Sequence, residues 1–192
     1  MPKNRYEVPT WNQVYRMLLN QAEKILSDGF KPDVIVGVAR GGLVPARMLS
    51  DLLENHSLAT VRVESCQTND GDRMKPVLMQ TLTMSVAGKR ILIVDDVADT
   101  GQSLTMIKEH VLQYEVAETK LATLYHKPWS SIKPDYYEKE TERWIIFPWD
   151  MKENLRRIVE KQGKTQLKNE FAEFPKQLTK RLLKQMQEKN PC

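Results

Sequence analysis

Three carboxylates within five residues, Asp95, Asp96 and Asp99, are followed at once by Thr100, Gly101, Gln102 and Ser103. Carboxylates this close repel one another unless a cation or hydroxyl donors lie among them. Hard oxygen donors of this kind suit Mg²⁺ or the hydroxyls of a sugar. The turn that follows offers backbone N–H groups at the start of a helical pattern over residues 104–113, where the positive end of a helix favours phosphate. The pairing points to a phosphorylated sugar bound with Mg²⁺. A Walker P-loop is excluded, because no Gly-Lys-Ser/Thr ending is present.

Those residues need a scaffold, and the flanking sequence supplies it. Ile91, Leu92, Ile93 and Val94 form an apolar run suited to a strand buried on both faces, and the acidic pair is expected to end it where a parallel sheet opens into a crevice. Residues 34–38 repeat the pattern and lead into Arg40, Gly41 and Gly42, a second glycine turn before a helix over residues 43–53 with Val44, Met48 and Leu52 on one face. Arg40 can make a charge-assisted contact to phosphate, and Gly41 lets the backbone approach it closely. Trp11, Val14, Tyr15, Leu18, Ala22, Ile25 and Leu26 recur at helical spacing, which places Trp11 and Tyr15 in the core. Further strands are expected over residues 59–66, 78–82 and 120–125, with a polar excursion at residues 67–75. The alternation of strands and helices predicts an α/β fold: a mostly parallel sheet flanked by helices.

The stretch from Ile91 to Ser103 resembles the 5-phosphoribosyl-1-pyrophosphate (PRPP) motif of type I phosphoribosyltransferases. Lys127-Pro128 after a strand, then Trp144 and a Pro148-Trp149-Asp150 ending, is similar to the xanthine-guanine members of that family and their archaeal relatives. The resemblance implies a small hood around Trp144 and transfer of the phosphoribosyl group from PRPP to xanthine, guanine or hypoxanthine, with Mg²⁺. It implies that Asp95 and Asp96 hold the ribose hydroxyls, directly or through metal and water. It gives the 5-phosphate to Thr100, Gly101, Gln102 and Ser103, and the pyrophosphate to Arg40 and Gly41. Asp99 would face nitrogen 7 of the purine. Arg73 and Lys75 would lie on a mobile loop that closes over the reaction. Lys127 would donate to the 6-oxo group, Trp144 would stack on the base, and the backbone beside it at Ile145 would read the 2-position. Two departures stand out: Gln102 replaces a residue that is often small in the family, and Ser65-Cys66 replaces a Ser-Tyr pair common among 6-oxopurine members. The donor chemistry is independent of the family, since an ammonium only donates and so opposes the 6-amino group of adenine. An adenine-specific enzyme on the same scaffold and a non-catalytic PRPP-sensing regulator stay open as alternatives.

Length and charge bound the remaining classes. The 192 residues suit one domain with an appendage, expected as residues 1–150 carrying the transferase and hood and residues 151–192 a basic helical extension. That extension holds 11 Lys/Arg against 5 Asp/Glu, whereas the first 150 residues hold 18 against 20, so the overall charge of +4 resides in the tail. A solvated lysine face accounts for it better than a nucleic-acid surface. No run reaches membrane-spanning length and the first residues lack an apolar leader core, while Cys66 and Cys192 do not make a disulfide framework, so the expected home is the reducing cytoplasm. The family resemblance implies a homodimer or homotetramer.

Overall fold

The computed structural model describes residues 5–66 and 75–162. Apolar runs without a polar break become the centre of the sheet. Strand β2 (Val34–Ala39) and strand β5 (Arg90–Ala98) lie side by side and parallel, with Val34 opposite Ile91 and Gly37 opposite Val94. Ile91, Leu92, Ile93 and Val94 are all fully buried. Around this pair the six-stranded sheet runs β4-β3-β2-β5-β6-β7, with β3 spanning Leu58–Cys66, β4 Lys75–Gln80, β6 Glu118–His126 and β7 Tyr136–Glu140. All neighbours are parallel except β4, which returns antiparallel to β3. The returning strand therefore starts and stops earlier than residues 78–82, and Pro76 is tolerated because β4 is an edge.

Helices cover the sheet on both faces. Helix α3 (Gln102–Leu112) buries Leu104, Ile107 and Val111 against Val34, Val36, Ile91 and Ile93. Helix α2 (Leu43–Leu52) covers the opposite face, where a Cβ on Gly37 would stand 2.9 Å from the Ala46 Cβ. Its buried residues are Pro45, Ala46, Leu49 and Ser50, one step round from the expected 44-48-52 stripe. The tight approach at Gly37 selects small Ala46 as the contact and rotates the face accordingly. Helix α1 (Trp11–Ser27) buries Val14, Leu18, Gln21, Ala22 and Ile25. Gln21 docks it by donating through Nε2 to the Thr123 and Tyr136 carbonyls at 2.8 and 3.3 Å.

Two compact units result. One is Asn12–Glu142; the other joins the segment ending at Trp11 to the segment that begins at Arg143. In the second unit β1 (Tyr6–Glu7) pairs parallel with β8 (Trp144–Ile145), and helix α4 (Met151–Gln162) buries Leu155 and Ile158. Trp11 is half exposed and its ring meets Trp149, which stacks on Phe147 at 4.7 Å between centroids. Tyr15 is also largely exposed, so the expectation that both aromatics lie in the core is overturned. The buried stripe of α1 is centred on Leu18 and Gln21 instead, where Gln21 anchors the helix. The expected helical extension beyond residue 162 lies outside the described residues. No helix among the described residues is long and apolar enough to cross a membrane.

The register of the central pair is fixed at the end remote from the crevice. Asp33 accepts from the Arg90 backbone N–H at 2.8 Å and from its guanidinium at 2.9 and 3.1 Å, while the Asp33 N–H donates to the Arg90 carbonyl. These bonds hold the Asp33 carboxyl down at about 2. A depressed carboxylate contributes stability above the ordinary value of 3.8 and loses it as pH falls through about 2. Asp33→Ala should therefore cost about 1 kcal/mol at pH 7, allowing for the solvent screening of a part-exposed pair, and distinctly less at pH 2, where half of the folded-state carboxyl is protonated. Urea unfolding at both pH values checks this.

Candidate active site

The crevice lies where β2 and β5 part. Their pairing stops at Gly37 and Val94, but β5 continues along β6 through Asp95 opposite Thr123 to Ala98 opposite His126. The acidic pair thus does not end the strand, as the sequence suggested; β6 keeps it extended while β2 turns away. Successive connections run outward from this point in opposite directions, the place where α/β sheets bind ligands at the carboxyl ends of their strands. Arg40, Gly41 and Gly42 turn beside the acidic pair, after a cis peptide between Ala39 and Arg40. A Cβ on Gly41 would stand 2.1 Å from Asp96 Oδ2, and one on Gly42 would stand 2.3 Å from the Val94 carbonyl. Glycine is a steric requirement at 42, where backbone surrounds the missing Cβ, whereas at 41 the obstacle is the Asp96 side chain.

Asp95 accepts the Asp96 backbone N–H at 2.9 Å. Burial pushes its carboxyl well up, and the Asp96 charge pushes in the same direction, against the pull of the Asp96 and Gly42 backbone N–H groups. Two adjacent carboxylates in this condition call for a cation or sugar hydroxyls, and their donor set fits Mg²⁺ shared with a phosphorylated ligand. Among the described residues no three His, Cys, Asp or Glu side chains gather into a cage that would hold a metal without such a ligand.

The turn after β5 forms the second wall. Gly101 has φ +84°, and it precedes α3 with no side-chain cap on the helix. The Gln102 N–H reaches Thr100 Oγ1 at 3.4 Å, and the first N–H groups of a helix have no partner within the helix. Gln102 is exposed, and Ser103 is part-buried beside it. The loop after β6 is fastened to this turn. The Lys127 N–H donates to the Ala98 carbonyl at 3.0 Å, and Ser131 donates to the Thr100 carbonyl from both its N–H and its Oγ. Lys127 is only 6% exposed, which is not how a solvated loop lysine sits. Its Nζ lies 5.3 Å from the centroid of Trp129, and the Trp129 Nε1–H donates to Asp99 Oδ1 at 3.1 Å. Sequence reasoning passed over Trp129. The only available signal was an aromatic two residues beyond Lys127, on a turn already tied to Asp99 by strand order.

The other proposed base-binding residues belong to the smaller unit. Trp144 is half exposed, and its indole N–H donates to Asn154 Oδ1 at 2.9 Å. Its backbone N–H donates to the Arg5 carbonyl, and the Ile146 N–H to the Glu7 carbonyl. Ile145 is buried. Asn154 rests on Asp150, whose carboxyl is pushed up to about 6 by burial. Lys75 opens β4 opposite Cys66. Arg73 lies outside the described residues.

The two glycines should differ when substituted. Gly42→Ala places its methyl against backbone that cannot move independently, with an expected loss of about 2–4 kcal/mol by urea unfolding. Gly41→Ala meets a side-chain carboxylate that can swing, so it should cost less than half as much.

Comparison with known proteins agrees with this geometry. The profile of the phosphoribosyl transferase domain matches residues 10–155. A xanthine-guanine phosphoribosyltransferase of Nitratidesulfovibrio vulgaris is 33% identical over 144 residues, covering 73% of this chain and 82% of the relative. One from Cereibacter sphaeroides is 33% identical over 149 residues, covering 74% and 85%. Among solved structures, a purine phosphoribosyltransferase from Pyrococcus horikoshii superposes with a TM-score of 0.70 at 42% identity, covering 76% of this chain and 94% of that one. With the profile spanning most of the sequence and the acidic strand end and glycine turns arranged around one crevice, the chain belongs to the phosphoribosyltransferase family.

Proposed function

We propose that the chain transfers the 5-phosphoribosyl group from PRPP to a 6-oxopurine, xanthine, guanine or hypoxanthine, releasing pyrophosphate and a nucleoside monophosphate in purine salvage. The observation that carries this reading is the buried Lys127 beside Asp99, bridged by Trp129 at the mouth of the crevice. A buried ammonium is a donor aimed from a fixed place, suited to a 6-oxo acceptor and opposed to an amino group. The xanthine-guanine relatives support the same substrate class.

Each residue then has a role. Thr100, Gly101, Gln102 and Ser103 bind the 5-phosphate with the uncapped start of α3. Arg40 and Gly41 bind the pyrophosphate, joined by Arg73 and Lys75 when their loop closes and excludes the water that would hydrolyse PRPP. Asp95 and Asp96 hold the ribose hydroxyls and Mg²⁺, which when bound offsets charge on the departing pyrophosphate. Asp99 faces nitrogen 7 of the purine and takes or stabilises its proton as ring nitrogen 9 attacks the anomeric carbon. Lys127 donates to the 6-oxo oxygen, Trp144 stacks on the ring, and the backbone at Ile145 reads the 2-position. Residues 1–150 carry this machinery and residues 151–192 extend it. The enzyme works in the cytoplasm as a homodimer or homotetramer, and the exposed apolar Val77 and Met79 on edge strand β4 support association.

Pyrophosphate release with PRPP and Mg²⁺, offered xanthine, guanine, hypoxanthine, adenine and uracil in turn, tests the reading. Turnover should be confined to the 6-oxopurines, vanish with a chelator and return with Mg²⁺. Preference for adenine would overturn the donor role of Lys127, and PRPP binding without release for any base would reveal a regulator. Lys127→Met should raise KM for the base roughly 10- to 100-fold, the value of a hydrogen bond to a charged group. Asp99→Asn should lower kcat by about 10²–10⁴ with PRPP affinity nearly unchanged, and equal loss of both would sink its assignment.

A further inference from the structure

Trp129 is 54% exposed, yet it makes one hydrogen bond and one cation–π contact, both to residues of the crevice. Its indole N–H donates to Asp99 Oδ1 at 3.1 Å, and its ring face lies 5.3 Å from Lys127 Nζ. An indole has one donor and no acceptor, so that contact occupies one carboxylate oxygen and leaves Oδ2 open. A carboxylate on the surface otherwise rotates broadly about its last torsion. The loop that carries Trp129 is anchored on both sides, through Lys127 to the Ala98 carbonyl and through Ser131 to the Thr100 carbonyl. Those carbonyls flank Asp99 in the chain. The ring is therefore fixed relative to the carboxylate by the backbone of the carboxylate's own turn.

We propose that Trp129 is a positioning residue for the transfer reaction: it locks the Asp99 carboxylate with Oδ2 toward the purine and steadies the Lys127 ammonium on its ring face. The proposal rests on the reading that Asp99 and Lys127 meet the base. It extends that reading to a residue which acts through both of them and reads the substrate through neither of its own contacts. Losing the N–H and losing the ring should then have separable effects. Trp129→Phe keeps an aromatic face for Lys127 and removes the donor, so kcat should fall roughly tenfold through misorientation, with KM for PRPP and for the base within about twofold of the native values. Trp129→Ala removes both, so KM for the 6-oxopurine should rise several-fold as well.

A double-mutant cycle with Asp99→Asn separates positioning from general loosening. The Trp129→Phe penalty should disappear in the Asp99→Asn background, whereas a merely structural effect would persist in both. An independent readout is the Trp129 indole ¹⁵N–H resonance, the one of four that remains once those of Trp11, Trp144 and Trp149 are assigned by their own substitutions to Phe, and it should shift on Asp99→Asn. An unshifted resonance would overturn the proposal even were Trp129→Phe unable to fold. Native kcat in Trp129→Phe, or an equal penalty in both backgrounds, would overturn it while leaving the proposed function intact. A native chain silent on every base would overturn the proposed function and this role together.

Discussion

The crevice depends on the absence of a Cβ at Gly42. That residue lies so close to the Val94 and Val38 carbonyls that any side chain would drive the turn after β2 away from the end of β5, while a Cβ at Gly41 would force the Asp96 carboxylate to swing aside. With glycine there, the Gly42 N–H closes onto the Val38 carbonyl at 2.8 Å and the turn settles beside the acidic pair. The two turns, one after β2 and one after β5, then share one opening. The same closeness places Asp95 beside Asp96, where burial and the Asp96 charge both push the Asp95 carboxyl up.

A second fastening holds the other wall. The loop after β6 hangs from the Ala98 and Thr100 carbonyls, and its Ser130 and Ser131 hydroxyls crowd Gly101, where a Cβ would stand 2.8 and 2.6 Å away. Lys127 and Asp99 are consequently presented by the ends of adjacent strands with little loop between anchor and function. Rigid elements hold a site more closely than free loops do. The Asp33–Arg90 clasp sets the register of β2 on β5 at the far end, so the alignment of both turns is determined a full strand length away.

Much of this was legible in the sequence, for a physical reason: unbroken apolar runs and glycine turns report directly on buried strands and close backbone approach. The runs at residues 34–38 and 91–94, the glycine turn at Arg40 and the α/β alternation all reflect such local constraints. The misreadings share a cause as well. Where β5 stops is decided by its neighbour β6, whose pairing carries the strand past Asp95 and Asp96. The buried face of α2 is decided by the gap over Gly37, and that of α1 by Gln21, a polar residue that a hydrophobic stripe ignores. Trp129 was invisible because its value comes from two partners, one of them thirty residues away. Pairwise geometry of this kind leaves no period in a sequence.

The smaller unit is stitched from the two flanks of the larger one, with Tyr6 paired to Trp144 and Glu7 to Ile145. During synthesis β1 emerges well before its partner β8, which follows after a wait on the order of ten seconds at ordinary elongation rates. The six-stranded sheet has all its strands by Glu140 and can assemble in that interval. The unit bearing Trp144 therefore closes after the sheet, so a nascent chain can own a finished crevice before it owns the aromatic ring assigned to the base.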